Sequence, residues 1–100
     1  MSLPSLNLDA FKQVALEKSF SLAARSLHIT QSALSQRILN LEQVIGTSLF
    51  IRESKGVLLT ETGQRLLRYC QVKDSLEEEF WGDLKSSGQL SGMIRLATFS

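Results

Sequence analysis

The chain has 100 residues, 43% of them hydrophobic, one cysteine, one histidine and a net charge of +1, the scale of one small domain whose modest core makes oligomerisation a reasonable expectation. The single Cys70 excludes an intrachain disulfide, and no Cys/His spacing suits zinc. No apolar run reaches membrane-spanning length and the start carries no basic-then-apolar signal pattern, so the chain reads as soluble and intracellular. The overall charge points to no partner; its slight basic excess lies in the first sixty residues, so the position of each cation matters more than the sum.

The first helix is expected to start near Asn7, a good N-cap type, with Leu8, Phe11, Val14 and Ala15 in one stripe that stops at Ser19-Phe20. Ser21 is the expected cap of a second helix, whose Leu22, Ala23, Ala24 and Leu27 give a small-residue inner face, and His28-Ile29 form a turn. Thr30 caps a third helix. Its Leu34, Ile38, Leu41 and Ile45 step by four, three and four, while Ser32, Gln36, Leu39 and Gln43 project from the opposite side. Ser35 and Arg37 flank that outer face, and Gly46 supplies the C-terminal stop.

Residues 49–52 and 57–60 are short β-type runs around a turn-like Glu53-Ser54-Lys55-Gly56, which predicts a two-stranded wing. Thr60 then caps a long helix over residues 61–86, with Leu66, Tyr69, Cys70, Leu76, Phe80 and Leu84 on one broad stripe that Lys73 interrupts. At 1.5 Å per residue such a helix runs roughly 39 Å. A sixty-residue domain is too small to bury that whole stripe, so a second copy is the expected cover. Residues 87–92, rich in Ser and Gly, read as a flexible hinge, and residues 93–100 alternate weakly like a strand. A strand with no sheet predicts a further C-terminal domain.

The sequence SFSLAARSL followed by ITQSALSQRILNLEQVIGTSLFIR, then Leu59-Thr60 and Gly63, resembles the LysR-type transcriptional regulators over essentially the whole chain. The resemblance implies a mainly α fold: a winged helix-turn-helix over residues 1–60, a dimerisation linker helix over 61–86, and the first strand of an effector-binding domain at 93–100. It implies a homodimer, or a tetramer at full length, bound to double-stranded DNA at a palindrome-like promoter site in the bacterial cytoplasm and nucleoid. ITQSALSQRI and LEEEFWGD further resemble the ArgP/LysG-like branch. That narrower likeness implies a basic amino acid as effector of the domain beyond this segment, control of lysine or arginine export or metabolism, and no cofactor within the segment.

A recognition helix needs short polar side chains toward base edges and an apolar back. Ser32, Ser35 and Gln36 meet the first need: Gln pairs with adenine N6/N7, and Ser donates or accepts at several bases. Many LysR-type members carry a basic residue where this chain has Gln36; here the basic group follows at Arg37. By helical angle Gln36 faces outward more directly, so it is assigned to base readout, and Arg37 to a base or phosphate. The competing reading is a plain solvated face, with Arg37 in an internal salt bridge. Thr30 and Gln31 stand at a helix start that favours phosphate, and Arg52, Ser54, Lys55 and Thr60 are expected on the DNA backbone or minor groove, against a solvated turn for Lys55 and simple capping for the threonines.

His28 has no second ligand or nucleophile at a telling spacing, and Glu77-Glu78-Glu79 point in different directions as a solvated face. Cys70 reads as a packing residue rather than a redox sensor, and Phe80 and Trp81 as dimer packing. No acid/base pair, phosphate-cradling loop or nucleophile–base set is visible, so an enzyme is not expected. The rival to a DNA reader is a protein-interaction winged helix without specific readout.

Overall fold

Pro4, with φ −63° and ψ 130°, turns the chain into α1, Ser5–Glu17. This computed structural model describes residues 3–86; the expected hinge and terminal strand lie outside them. The helix begins two residues before the expected Asn7 cap. Pro4 offers no side-chain cap, but its carbonyl accepts from Leu8 N at 3.0 Å. Leu8, Phe11 and Val14 of the expected stripe are buried, together with Ala10. Lys18 ends the helix at φ 55°.

The second helix, α2 Phe20–Ser26, is capped by Ser19 rather than Ser21: Ser19 Oγ accepts from Leu22 N at 3.1 Å. Both serines are competent caps. The earlier one wins because it places Phe20 in the core, edge-on to Phe50 at 5.8 Å. Ala23 and Ala24 are buried as expected, whereas Leu22 is exposed. His28 takes a left-handed conformation, φ 58°, in the turn.

The third helix, α3 Gln31–Ile45, has Thr30 as its cap, with Oγ1 accepting from Ala33 N at 3.0 Å, and Gly46 at φ 95° as its stop. Leu34, Ile38 and Leu41 are buried and Ile45 half-buried. Each of the three helices packs on the other two.

The wing is the antiparallel pair β1 Phe50–Glu53 and β2 Gly56–Leu59, with Phe50 opposite Leu59 and Arg52 opposite Val57. It begins one residue later than expected because Leu49 is a fully buried core residue. The period-2 alternation of a strand puts Phe50 and Arg52 on one face, and the exposed pair Ile51 and Leu58 on the other.

Two compact units divide the chain after Cys70. The last helix, α4 Glu61–Ser86, supplies Gly63, Leu66 and Cys70 to the first unit's core, the two side chains being 8% and 2% exposed. This corrects the expected roles of Leu66 and Cys70 at a dimer face, since side chains buried against their own domain are not offered to a second copy. Of the second unit, residues 71–86 are described. Val72, Leu76 and Phe80 there are 52%, 60% and 55% exposed, and Leu84 is half-buried. No helix among the described residues is long and apolar enough to cross a membrane.

Candidate nucleic-acid interface

The outer face of α3 follows from its inner one. Burial of Leu34, Ile38 and Leu41 fixes the helix rotation, and at about 100° per residue the positions between them must face away. Gln31, Ser32, Ser35, Gln36 and Leu39 together line one shallow concavity on that face. Four of the five are polar and none is charged, a set of side chains suited to hydrogen bonding with base edges.

Arg37 is half-buried and does not line this concavity. One residue past Gln36, it is carried about a quarter turn around the helix. Of the pair whose order departs from the common pattern, the structure therefore brings Gln36, and not Arg37, to the face of Ser32 and Ser35.

Gln36 is also held. Its Nε2 donates to Asn40 Oδ1 at 2.9 Å. Asn40 was missed in the sequence, although its i,i+4 spacing from Gln36 is the signal for such a pair.

The start of α3 faces solvent. Thr30 Oγ1 is engaged as a cap acceptor, which leaves its hydroxyl proton for donation. The backbone N–H groups of Gln31 and Ser32 precede any i−4 partner in the helix, and the dipole end adds partial positive charge there. Thr30, Gln31 and Ser32 thus form a neutral, donor-rich corner of the kind that accepts phosphate.

Arg52 is placed differently from a wing-tip cation. It lies on the domain-facing side of β1, its guanidinium 3.9 Å above the Phe20 ring, with Nη2 donating to Ser35 Oγ at 3.4 Å. The stacking contributes about 0.5–1 kcal/mol at an exposed site. A second concavity, lined by residues that include Phe20, Ser21, Gln31, Arg52 and Ser54, joins the starts of α2 and α3 to the wing. Ser54 and Lys55 form the exposed turn.

Thr60 caps α4 as expected. Its hydroxyl donates to the Ser48 carbonyl at 2.7 Å and accepts from Gly63 N at 3.0 Å, while its own N–H donates to the Leu49 carbonyl. With its single proton engaged by Ser48, Thr60 pins the start of α4 to the corner before the wing. Glu42, another residue not singled out in the sequence, accepts from Leu49 N at 2.7 Å and fixes the corner after α3.

A further polar link ties α1 to α2. Hydrogen bonds from Ser26 and then Gln13 hold the Glu17 carboxyl below its ordinary pKa. Among the described residues no group of three His, Cys, Asp or Glu side chains approaches a metal-binding arrangement.

Three mutually packed helices, a two-stranded wing and an exposed polar face on the third helix define a winged helix-turn-helix domain. The family described as bacterial regulatory helix-turn-helix protein, lysR family, matches residues 6–64, and the chain belongs to it. An uncharacterised HTH-type transcriptional regulator from the ibpB-leuC intergenic region of Azotobacter vinelandii is 43% identical over 99 residues, 98% of this chain and 67% of that protein. ArgP from Mycobacterium tuberculosis superposes with a TM-score of 0.74 at 39% identity, covering 84% of this chain and 32% of that one. The DNA-binding domain of BenM, in complex with its catB site 1 DNA, superposes with a TM-score of 0.71 at 33% identity over 88% of this chain and 97% of that one. The chain thus spans two thirds of the Azotobacter protein but less than a third of ArgP. The homologues are transcriptional regulators and not enzymes.

Proposed function

We propose that the chain binds double-stranded DNA in a sequence-dependent manner by laying α3 in the major groove. The observation that carries this reading is the shared outer face of Gln31, Ser32, Ser35, Gln36 and Leu39, rigidly backed by Leu34, Ile38 and Leu41. The likeness to the DNA-bound BenM domain supports it. Ser32, Ser35 and Gln36 meet base edges. Thr30, Gln31, Ser54 and Lys55 meet the sugar-phosphate backbone, with Arg37 and Arg52 adding charge on either flank. Base contacts then set sequence, while phosphate contacts set affinity and its salt dependence.

Two copies acting together are supported by the exposed Val72, Leu76 and Phe80, which recur every four residues on α4 and leave an apolar stripe that a second helix would cover. A two-fold dimer requires a roughly palindromic site. The sequence resemblance to the arginine- and lysine-responsive branch favours a basic amino acid as effector of the full-length regulator, with export or metabolic genes for those amino acids as targets.

Titration of a promoter fragment and a random duplex at several salt concentrations tests the reading. The promoter is expected to retain its preference as salt rises and total affinity falls. Equal affinity for both duplexes at every salt would instead support a winged helix that serves a protein partner.

A further inference from the structure

The outer face of α3 holds a subset of residues that is more specific than a polar surface. Gln36, Leu39 and Asn40 are related by i,i+3 and i,i+4 spacing and so share a patch of the helix. Leu39 is an apolar side chain 47% exposed on the same concavity as Gln36, in the middle of an otherwise polar face. Asn40 is exposed, and its Oδ1 accepts from Gln36 Nε2. An amide has two Nε2 hydrogens and one carbonyl oxygen. Engagement of one hydrogen by Asn40 leaves one hydrogen and Oε1, the donor–acceptor pair that matches adenine N7 and N6–H in the major groove. The thymine C5-methyl group, in turn, is recognised by apolar contact.

We propose that Gln36, Leu39 and Asn40 form one A·T reader, in which Gln36 pairs with adenine N7 and N6, Asn40 is a positioning residue that orients the Gln36 amide, and Leu39 packs on a thymine methyl within one base-pair step. The inference rests on the DNA-reading function proposed above. It adds the base pair that this part of the helix selects and two residues that determine the selection. A guanine in place of the adenine presents O6, a second acceptor, to an amide whose Oε1 requires a donor, so Gln36 held in this way rejects it.

The test uses the 100-residue chain and the symmetric duplex it enriches from a random pool. In that duplex each A·T pair of a half-site is altered in turn by 7-deazaadenine, which lacks N7, or by deoxyuridine, which lacks the methyl group. At one pair, 7-deazaadenine is expected to weaken binding about fivefold, the worth of one lost hydrogen bond. Deoxyuridine at that pair or its neighbour is expected to weaken it about fourfold, the worth of one buried methyl. Leu39→Ala should abolish the deoxyuridine effect and leave the 7-deazaadenine effect. Asn40→Ala should diminish the 7-deazaadenine effect and relax the choice of base at that pair, with the slope of affinity against salt unchanged. Asn40→Asp keeps an acceptor for Gln36, so it should preserve base choice while its charge lowers affinity for all duplexes.

Both positions are on the surface, so the variants keep the fold. An enriched site whose binding ignores both analogues, or whose sensitivity survives unchanged in Leu39→Ala and Asn40→Ala, overturns the A·T reader and leaves sequence-dependent binding standing. Failure to enrich any duplex overturns both.

Discussion

Gly63 stands where α4 crosses the corner before the wing, and replacing it with alanine asks two well-defined questions of the fold. A Cβ at Gly63 would lie 2.2 Å from the Leu49 carbonyl oxygen and 3.0 Å from Leu59 Cδ2. Ordinary carbon–oxygen contact is about 3.3–3.6 Å, so the backbone must separate by roughly 1 Å. The Leu49 carbonyl cannot yield alone, because it accepts the Thr60 N–H and the Leu49 N–H is tied to Glu42. Overpacking of this kind costs about 3 kcal/mol, the upper part of the usual range, since the obstacle is main chain. Alanine returns about 1 kcal/mol of helix propensity. The net loss of about 2 kcal/mol corresponds to a fall in Tm of roughly 8–16 °C for a domain of this size.

Gly82 in the same helix is the control. A Cβ there meets nothing within 4 Å, so Gly82→Ala should gain up to about 1 kcal/mol from propensity alone. Thermal and urea unfolding followed by circular dichroism measure both variants. If Gly63→Ala unfolds at or above the wild-type temperature, the close crossing of α4 over Leu49 is wrong.

Three other perturbations probe the site and its supports. Thr60→Val keeps the shape but removes the α4 cap and the bond to Ser48, and should cost about 1–2 kcal/mol in urea unfolding, whereas Thr60→Ser should recover most of it. Arg52→Ala removes the guanidinium from Phe20 and Ser35; weaker binding to all duplexes, with a shallower salt dependence, is expected in fluorescence titrations, and an unchanged salt slope would show that Arg52 acts only within the fold. Glu17 has a depressed folded-state pKa, so its favourable contribution is present above the ordinary value of about 4.5 and is lost as pH falls through the folded value. The stability difference between wild type and Glu17→Gln should therefore be present at neutral pH and vanish in acid; a constant difference would contradict the Ser26 and Gln13 hydrogen bonds.

Much of this fold was legible because its strongest signals are periodic. The Leu34, Ile38, Leu41 stripe and the Thr30 and Gly46 ends define α3 without tertiary information, and with them the outward set of Ser32, Ser35 and Gln36. What was misread depends on contacts that periodicity does not carry. Ser19 displaced Ser21 as a cap because Phe20 packs against Phe50 across the chain. Leu66 and Cys70 share a stripe with Leu76 and Phe80, yet a stripe does not say what covers it; the first two complete their own domain's core and the latter remain exposed. Thr60 caps α4 as its position indicates, but its second bond, to the Ser48 carbonyl, is a tertiary contact that spacing does not reveal. Arg52 is exposed on the wing, as the sequence indicates, but that its guanidinium lies over the Phe20 ring is set by a contact across the chain that the sequence does not carry.

Selection of bound duplexes from a random pool, with the wild-type chain and with Gln36→Ala in parallel, shows whether the outer face of α3 reads DNA sequence. The wild type is expected to enrich a two-fold symmetric site, and Gln36→Ala to lose preference at one position of each half-site while the rest of the motif persists. Enrichment of no common sequence, or of the same motif at full information by both proteins, would mean that this face does not read sequence.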